Sequence, residues 1–226
     1  MMFSGALFCI PQAFPTFTRT KSHNKRISRL TRMEQGSDHD FVEIISFSGC
    51  EKILLDIKYA TADNFTNKVQ YDSARCFARR GVAKKLARVQ KTLEGKGLGL
   101  LIWDAYRPHH VQWKLWEIVP DEKFVADPRK GSNHNRGAAV DLTLVDSQGI
   151  WQEMPTGFDD FTEKAYRSFN DAEEHTLRNR KLLQDVMEEN GFIGLPTENW
   201  HFDDIDSKKY EVSDLSFAEL VEKLKQ

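Results

Sequence analysis

The chain has no long apolar run, few cysteines, no excess of either charge and, over its first 33 residues, no acidic side chain at all. No stretch approaches the roughly 18 to 20 apolar residues that a membrane-spanning helix requires, so no span is expected. Cys9, Cys50 and Cys76 are the only thiols and lie far apart, which argues against both a disulfide framework and a thiolate zinc knuckle. A reduced compartment, the cytoplasm first, is the expectation. The 32 Lys and Arg nearly balance 34 Asp and Glu, leaving a net charge of -2. A surface of that kind gives no reason to expect nucleic acid as a partner. No internal repeat is visible, and the residues do not set an oligomeric state.

The acid-free start carries Arg19, Lys21, Lys25, Arg26, Arg29 and Arg32 among Ser and Thr. Its apolar piece, Gly5 to Ile10, precedes the basic residues and stops at Pro11, the reverse of a secretory signal. Residues 1–33 are therefore read as a disordered or transit-type leader, or as lying upstream of a start at Met33. Export is the alternative left open by the basic leader. Residues 34–226 are long enough for one domain with a full core.

Within that domain Phe41–Ile45 and Ile53–Ile57 read as short strands, followed by a loop over Lys58–Asn67 that is dense in turn formers. Val82, Leu86, Val89 and Leu93 recur at helical spacing, with Asp72 or Ser73 as a cap and Gly95 or Gly97 as the stop. Leu98–Trp103 reads as an apolar strand ending in Asp104-Ala105-Tyr106-Arg107-Pro108. Proline is favoured at a first helical position, so Arg107 stands where strand becomes helix, a junction that often lines a cleft. The bland reading is a surface arginine. His109 and His110 read as solvated helix residues, with Trp113, Leu115, Trp116 and Ile118 facing inward in some combination.

Ala138–Leu144 alternates: Val140, Leu142 and Leu144 face a core while Ala139, Asp141 and Thr143 face the other way. His134 precedes Gly137, which permits a tight turn that brings the His and Asp side chains together. A lone pair of this kind is more often a surface turn than a ligand pair. The second cluster, Glu198-Asn199-Trp200-His201-Phe202, alters that balance: read as a strand, it buries Trp200 and Phe202 and presents His201 on the opposite side. Ionisable groups on otherwise apolar strands need a partner, and three protein ligands with one open position suit a catalytic zinc. The inferred set is His134, Asp141 and His201 on zinc, with Glu198 as base.

Asp146–Gly149 reads as a hairpin turn. Phe158-Asp159-Asp160-Phe161 could receive an ammonium group between aromatics, or could be a solvated turn. Asp171 with Glu174 makes a capping box for a helix whose apolar face is Leu182, Leu183, Val186 and Met187 and whose wet side holds Glu173, Glu174, Arg178, Arg180 and Lys181. Asn190-Gly191-Phe192 stops it. Ser216 and Glu219 repeat the box before a final short helix.

Five segments, Lys58–Thr66, Asp104–Pro108, Gly131–Leu144, Gly157–Asp159 and Glu198–Phe202, occur in this order. Together they resemble the D-alanyl-D-alanine dipeptidase family, zinc enzymes known from vancomycin resistance and from chromosomal relatives, within the hedgehog/DD-peptidase superfamily. The likeness covers roughly Phe41 to Asp203. It implies an α+β fold with a central, mostly antiparallel sheet flanked by helices, and zinc-dependent hydrolysis of the small dipeptide D-Ala-D-Ala to D-alanine. Position by position, it implies that His134, Asp141 and His201 hold one zinc, Glu198 is general base and acid, and Arg107 stabilises the oxyanion. Ser132 would meet the substrate's carboxylate, Asp159 its amine, and Tyr59 would line the pocket. Asn199 departs from the family's usual tryptophan, and altered packing is expected there. The alternatives are a D,D- or L,D-carboxypeptidase or endopeptidase acting on peptidoglycan stem peptides, and a non-catalytic zinc-binding module.

Overall fold

The computed structural model describes residues 36–225. Cys9 and the expected leader over residues 1–33 lie outside them. In chain order the regular elements are β1 (Phe41–Glu43), β2 (Leu54–Leu55), β3 (Phe77–Arg79), α1 (Arg80–Glu94), β4 (Leu98–Asp104), α2 (His109–Ile118), β5 (Ala139–Asp146), α3 (Glu174–Glu189), β6 (Phe192–Gly194), β7 (His201–Asp204) and α4 (Phe217–Leu224). β1 and β3 form a small antiparallel pair; the other five strands make one sheet in the order β2-β4-β5-β7-β6. Only β2 and β4 run parallel. The α+β class with a mostly antiparallel central sheet holds.

Both faces of that sheet are covered. Leu100, Ile102, Val140, Leu142, Leu144 and Phe202 share the main core with Leu86 of α1 and with Leu183 and Met187 of α3. The opposite face carries a smaller cluster of Leu101, Trp103, Val145, Ala165 and Trp200. Asp141 and Thr143 point off the main core, as the alternation predicts, but are themselves buried. A polar residue there must therefore find a protein or ligand partner.

Several local expectations fail, each because a longer-range contact takes over. Trp200 and Phe202 do not share a core, since β7 begins only at His201 and Trp200 turns into the smaller cluster. The first helix starts at Arg80 rather than near Asp72, because Phe77–Arg79 pair with β1. Its leading amides are met by backbone carbonyls instead of a cap side chain: Arg80 N–H donates to Asp40 O and Gly81 N–H to Asp38 O. The strand read over Phe41–Ile45 ends at Glu43, and Ile44–Ser46 coil into a 3-10 turn. Pro108 occupies the N-cap of α2, one residue before the first helical position, and Trp113 and Ile118 are exposed while Leu115 is buried.

No side chain caps α3, so Asp171 and Glu174 form no box, whereas the Ser216 and Glu219 box is complete. Arg180 is not on a wet side. It is buried, with Nη1 donating to Phe169 O at 2.6 Å. The hairpin after β5 forms as expected, Asp146 Oδ1 accepting the N–H groups of Gln148 and Ile150.

Candidate metal centre

The site is assembled where β4, β5 and β7 lie side by side. In the antiparallel ladder Asp104 is opposite Asp141, and Asp141 is opposite His201. Directly opposed residues in such a ladder put their side chains on one face, so three titratable groups from distant segments form a row. His134 is added by the 3-10 turn His134–Arg136, which Gly137 closes in the left-handed region at φ +67°. A Cβ at Gly137 would come within 2.5 Å of the Phe41 ring. Glycine is thus required twice at this position, for its dihedral and for its lack of bulk.

One donor atom from each of His134, Asp141 and His201 lies within 4.8 Å of the others, and all three residues are buried. His134 Nε2 is 3.3 Å from Asp141 Oδ2 and 3.2 Å from His201 Nδ1, and His201 Nδ1 is 2.9 Å from Asp141 Oδ1. Donors about 2.0 to 2.2 Å from a tetrahedral ion stand about 3.3 to 3.6 Å apart, so the set is nearly of the right size. The outer nitrogens are taken. His134 Nδ1 is 2.7 Å from Ala105 O, an acceptor only, so the proton is on Nδ1 and the Nε2 lone pair faces inward. His201 Nε2 is 3.1 Å from the Asp203 carboxylate, which turns Nδ1 inward in the same way. This donor set, two imidazoles and a carboxylate with both rings oriented from behind, fits a divalent metal.

The electrostatics follow from burial and crowding. Burial opposes ionisation of Asp141, yet the His134 and His201 rings outweigh it and hold the carboxyl well below its ordinary range. Burial works against charge on His201 too, but hydrogen bonds to Asp141 and Asp203 raise its pKa well above the usual value. Glu198 sits in the turn before β7 with Oε2 3.9 Å from His201 Nδ1. Its carboxyl is pushed up to about 7, chiefly by burial, with His201 opposing and Asp141 adding to the rise.

Arg107 lies just after β4 in a buried ion pair with Asp104. Its Nε and Nη2 donate to Asp104 Oδ2 at 3.1 and 2.7 Å, and Nη1 donates to Gln112 Oε1 at 2.8 Å. Asp104 also accepts from the Tyr71 hydroxyl at 2.7 Å. The guanidinium lies 5.0 Å from the centre of the Tyr59 ring. Tyr59 in turn directs its hydroxyl at Asp159, 3.3 Å from Oδ2. Asp159 adopts φ +55°, unusual for a non-glycine residue. Burial raises its pKa well above the carboxylate range, and Asp141 adds to the rise. Asp160 is used within its own turn, accepting the Thr162 N–H.

Ser132 is joined to the same frame through Asn135, whose Oδ1 accepts the Ser132 N–H at 2.8 Å and whose Nδ2 donates to Arg107 O at 2.9 Å. The Arg107 N–H donates to His134 O. Asn135, Gln112, Tyr71, Asp104 and Asp203 are supports that motif reading leaves without a role. Only Asp104 has a local signal, its place three residues before Arg107. At Asn199 the side chain is buried, donating to Thr156 Oγ1 at 2.6 Å, so a hydrogen bond occupies the position rather than a larger ring.

Comparison with known proteins gives one consistent result. A profile described as D-ala-D-ala dipeptidase matches residues 49–219. The chain is 41% identical over 149 residues to the D-alanyl-D-alanine dipeptidase of Escherichia coli (strain K12), spanning 66% of this chain and 77% of that protein. The D-alanyl-D-alanine dipeptidase of Enterococcus faecium is 31% identical over 168 residues, 65% of this chain and 83% of its own. That of Streptomyces coelicolor (strain ATCC BAA-471 / A3(2) / M145) is 32% identical over 168 residues, with the same shares. Among the described residues no helix is long and apolar enough to cross a membrane.

Proposed function

The chain belongs to the D-Ala-D-Ala dipeptidase family of peptidases, and from that premise we propose that it hydrolyses D-Ala-D-Ala to two molecules of D-alanine with zinc held by His134, Asp141 and His201. The observation carrying this reading is the convergence of those three donors beside the Glu198 carboxylate. When bound, zinc supplies Lewis acidity, which polarises a carbonyl and lowers the pKa of water from 15.7 toward about 7.

Glu198 acts as general base, taking a proton from the attacking water and returning it to the departing amine. With no metal bound, burial pushes its carboxyl up to about 7; a divalent cation beside it would lower that and favour the carboxylate that a base requires. Arg107 faces the charge that develops on the carbonyl oxygen. Asp104 and Gln112 engage three of the five guanidinium N–H groups and hold its plane. The remaining N–H groups are free to donate, and a fixed donor of this kind contributes about 3 kcal/mol to barrier reduction.

Asp159 receives the substrate's ammonium group. Burial favours its neutral form until a cation arrives, and Tyr59 fixes its orientation. Ser132, tied to Arg107 through Asn135, receives the carboxylate end. Needing both charged ends measures the length of the substrate, because a longer chain leaves a buried charge unpaired.

The test is amino-acid release by the zinc-loaded protein from D,D-, L,D- and L,L-dipeptides beside a D-Ala-D-Ala-terminated pentapeptide. Turnover of free D-Ala-D-Ala alone is expected. Preference for the pentapeptide would replace dipeptidase by carboxypeptidase, and no turnover at full zinc occupancy would leave a binding module.

A further inference from the structure

Among the described residues, one partly buried cation outside the mechanism lies close to the turn that carries Glu198. Arg167 follows the short 3-10 turn Glu163–Ala165 and reaches across to the connection between β6 and β7. Its Nε donates to Leu195 O at 2.9 Å and its Nη2 to His201 O at 2.9 Å, while its backbone N–H donates to Pro196 O at 2.9 Å. The guanidinium stacks over the Phe202 ring, 4.3 Å from its centre. Burial is the leading influence on it and lowers its pKa to about 10, with Glu188 only partly offsetting. Among the described residues Nη1 has no hydrogen-bond partner. A cation placed this way is not there for a strong ion pair.

What it does is bridge the two ends of one turn. Leu195 and His201 flank the segment that carries Glu198. The backbone bonds within that turn are long: Leu195 N–H donates to His201 O at 3.2 Å, Glu198 N–H to Leu195 O at 3.3 Å and His201 N–H to Glu198 O at 3.4 Å. All three are at or beyond the long end for such bonds. The two charge-assisted bonds from Arg167 are shorter, and bonds of that class are roughly twice as strong as neutral ones. A lysine could not substitute, because a point charge lacks the planar fork that spans two carbonyls. Gly194 completes the arrangement. A Cβ there would fall 2.4 Å from Arg167 Nε and Cζ, so the position must stay bare for the guanidinium to sit where it does.

We propose that Arg167 is a positioning residue for the reaction: by bridging Leu195 O and His201 O it sets the Glu198 carboxylate over the site, with Gly194 keeping its seat open. The proposal rests on Glu198 being the base. It requires no contact between Arg167 and substrate.

The test compares Arg167→Met, Arg167→Lys, Gly194→Ala and the Arg167→Met/Gly194→Ala double variant, each with saturating zinc and D-Ala-D-Ala. A misplacement of about 1 Å costs up to roughly 100-fold in rate. The expected result is therefore a kcat lower by about 10- to 100-fold in each single variant, with KM within about threefold of wild type. Lysine gives no rescue. The double variant is no slower than Arg167→Met, because with the guanidinium gone the new methyl has nothing left to displace.

A folded, zinc-loaded Arg167→Met with kcat within about threefold of wild type overturns the proposal, as does an additive loss in the double variant. Should Arg167→Met fail to fold, Arg167→Lys and Gly194→Ala decide by the same kcat criterion. If Glu198→Gln abolishes turnover while the Arg167 variants keep it, only the clamp is wrong. If Glu198→Gln retains turnover, the base assignment falls and the clamp falls with it.

Discussion

Asp141 and His201 face each other across adjacent antiparallel strands, His201 Nδ1 standing 2.9 Å from Asp141 Oδ1. Sixty residues of chain separate them, and the contact exists only because β5 and β7 pair in this register. With His134 Nε2 3.2 Å from the same nitrogen, the pair forms the seat proposed for the ion.

Removing one imidazole leaves two ligands, too few to hold a catalytic zinc. His134→Ala and His201→Ala are each expected to lose zinc on dialysis that leaves the wild type near one ion per chain. Elemental analysis of the dialysed proteins checks this, and full zinc content in both variants would refute the ligand set.

Glu198→Gln keeps the volume and the hydrogen-bonding capacity but cannot carry a proton. Zinc content is expected to stay near wild type while kcat falls by about 100- to 10,000-fold, the range for a lost general base. Turnover near wild type would take Glu198 out of that role.

The metal-free protein should lose stability as pH rises. Folding raises the Glu198 carboxyl from its ordinary 4.5 to about 7, so between these values the folded state holds a proton that the unfolded chain has released. Stability is then full below about 4.5 and declines up to about 7, by an amount on the order of 3 kcal/mol. His201, also raised, acts with the same sign. Thermal melts in chelator from pH 5 to pH 8 should show a falling Tm, with a shallower fall in Glu198→Gln. An identical slope in the two proteins would contradict the assignment.

Asp159→Ala removes the carboxylate proposed for the substrate's amine. Loss of a charged hydrogen bond of about 1.5 to 3 kcal/mol predicts a KM for D-Ala-D-Ala higher by roughly 10- to 150-fold. For an analogue with its amine acylated the change should be small. Steady-state kinetics on the two compounds checks this, and equal effects on both would remove the amine contact.

Much of the site is legible without coordinates, and the reason is local. Alternation along Val140–Leu144 places Asp141 off the main core whatever the strand pairs with, because the period of two is a property of extended backbone. Gly137 before that strand announces a turn, and the turn forms in the left-handed region. The Ser216 and Glu219 box is equally local and equally correct. The order of the five family segments carried the rest of the functional reading.

Register, and which buried charges meet, belong to the tertiary structure. Phe77–Arg79 became a strand because β1 lies beside it, and Trp200 left the main core because pairing starts one residue later. Arg180, placed on a wet face by helical spacing, is buried under carbonyls from 166 and 169. Arg107 could be placed at a junction, but its Asp104, Gln112 and Tyr59 surroundings could not. The sequence by itself determined the periodicities, the turns and the candidate ligands, since each is a property of a few neighbouring residues. Only the fold decided which of those ligands converge and what holds them there, because a buried charge is stabilised by whatever partner packing delivers, and that partner can lie anywhere along the chain.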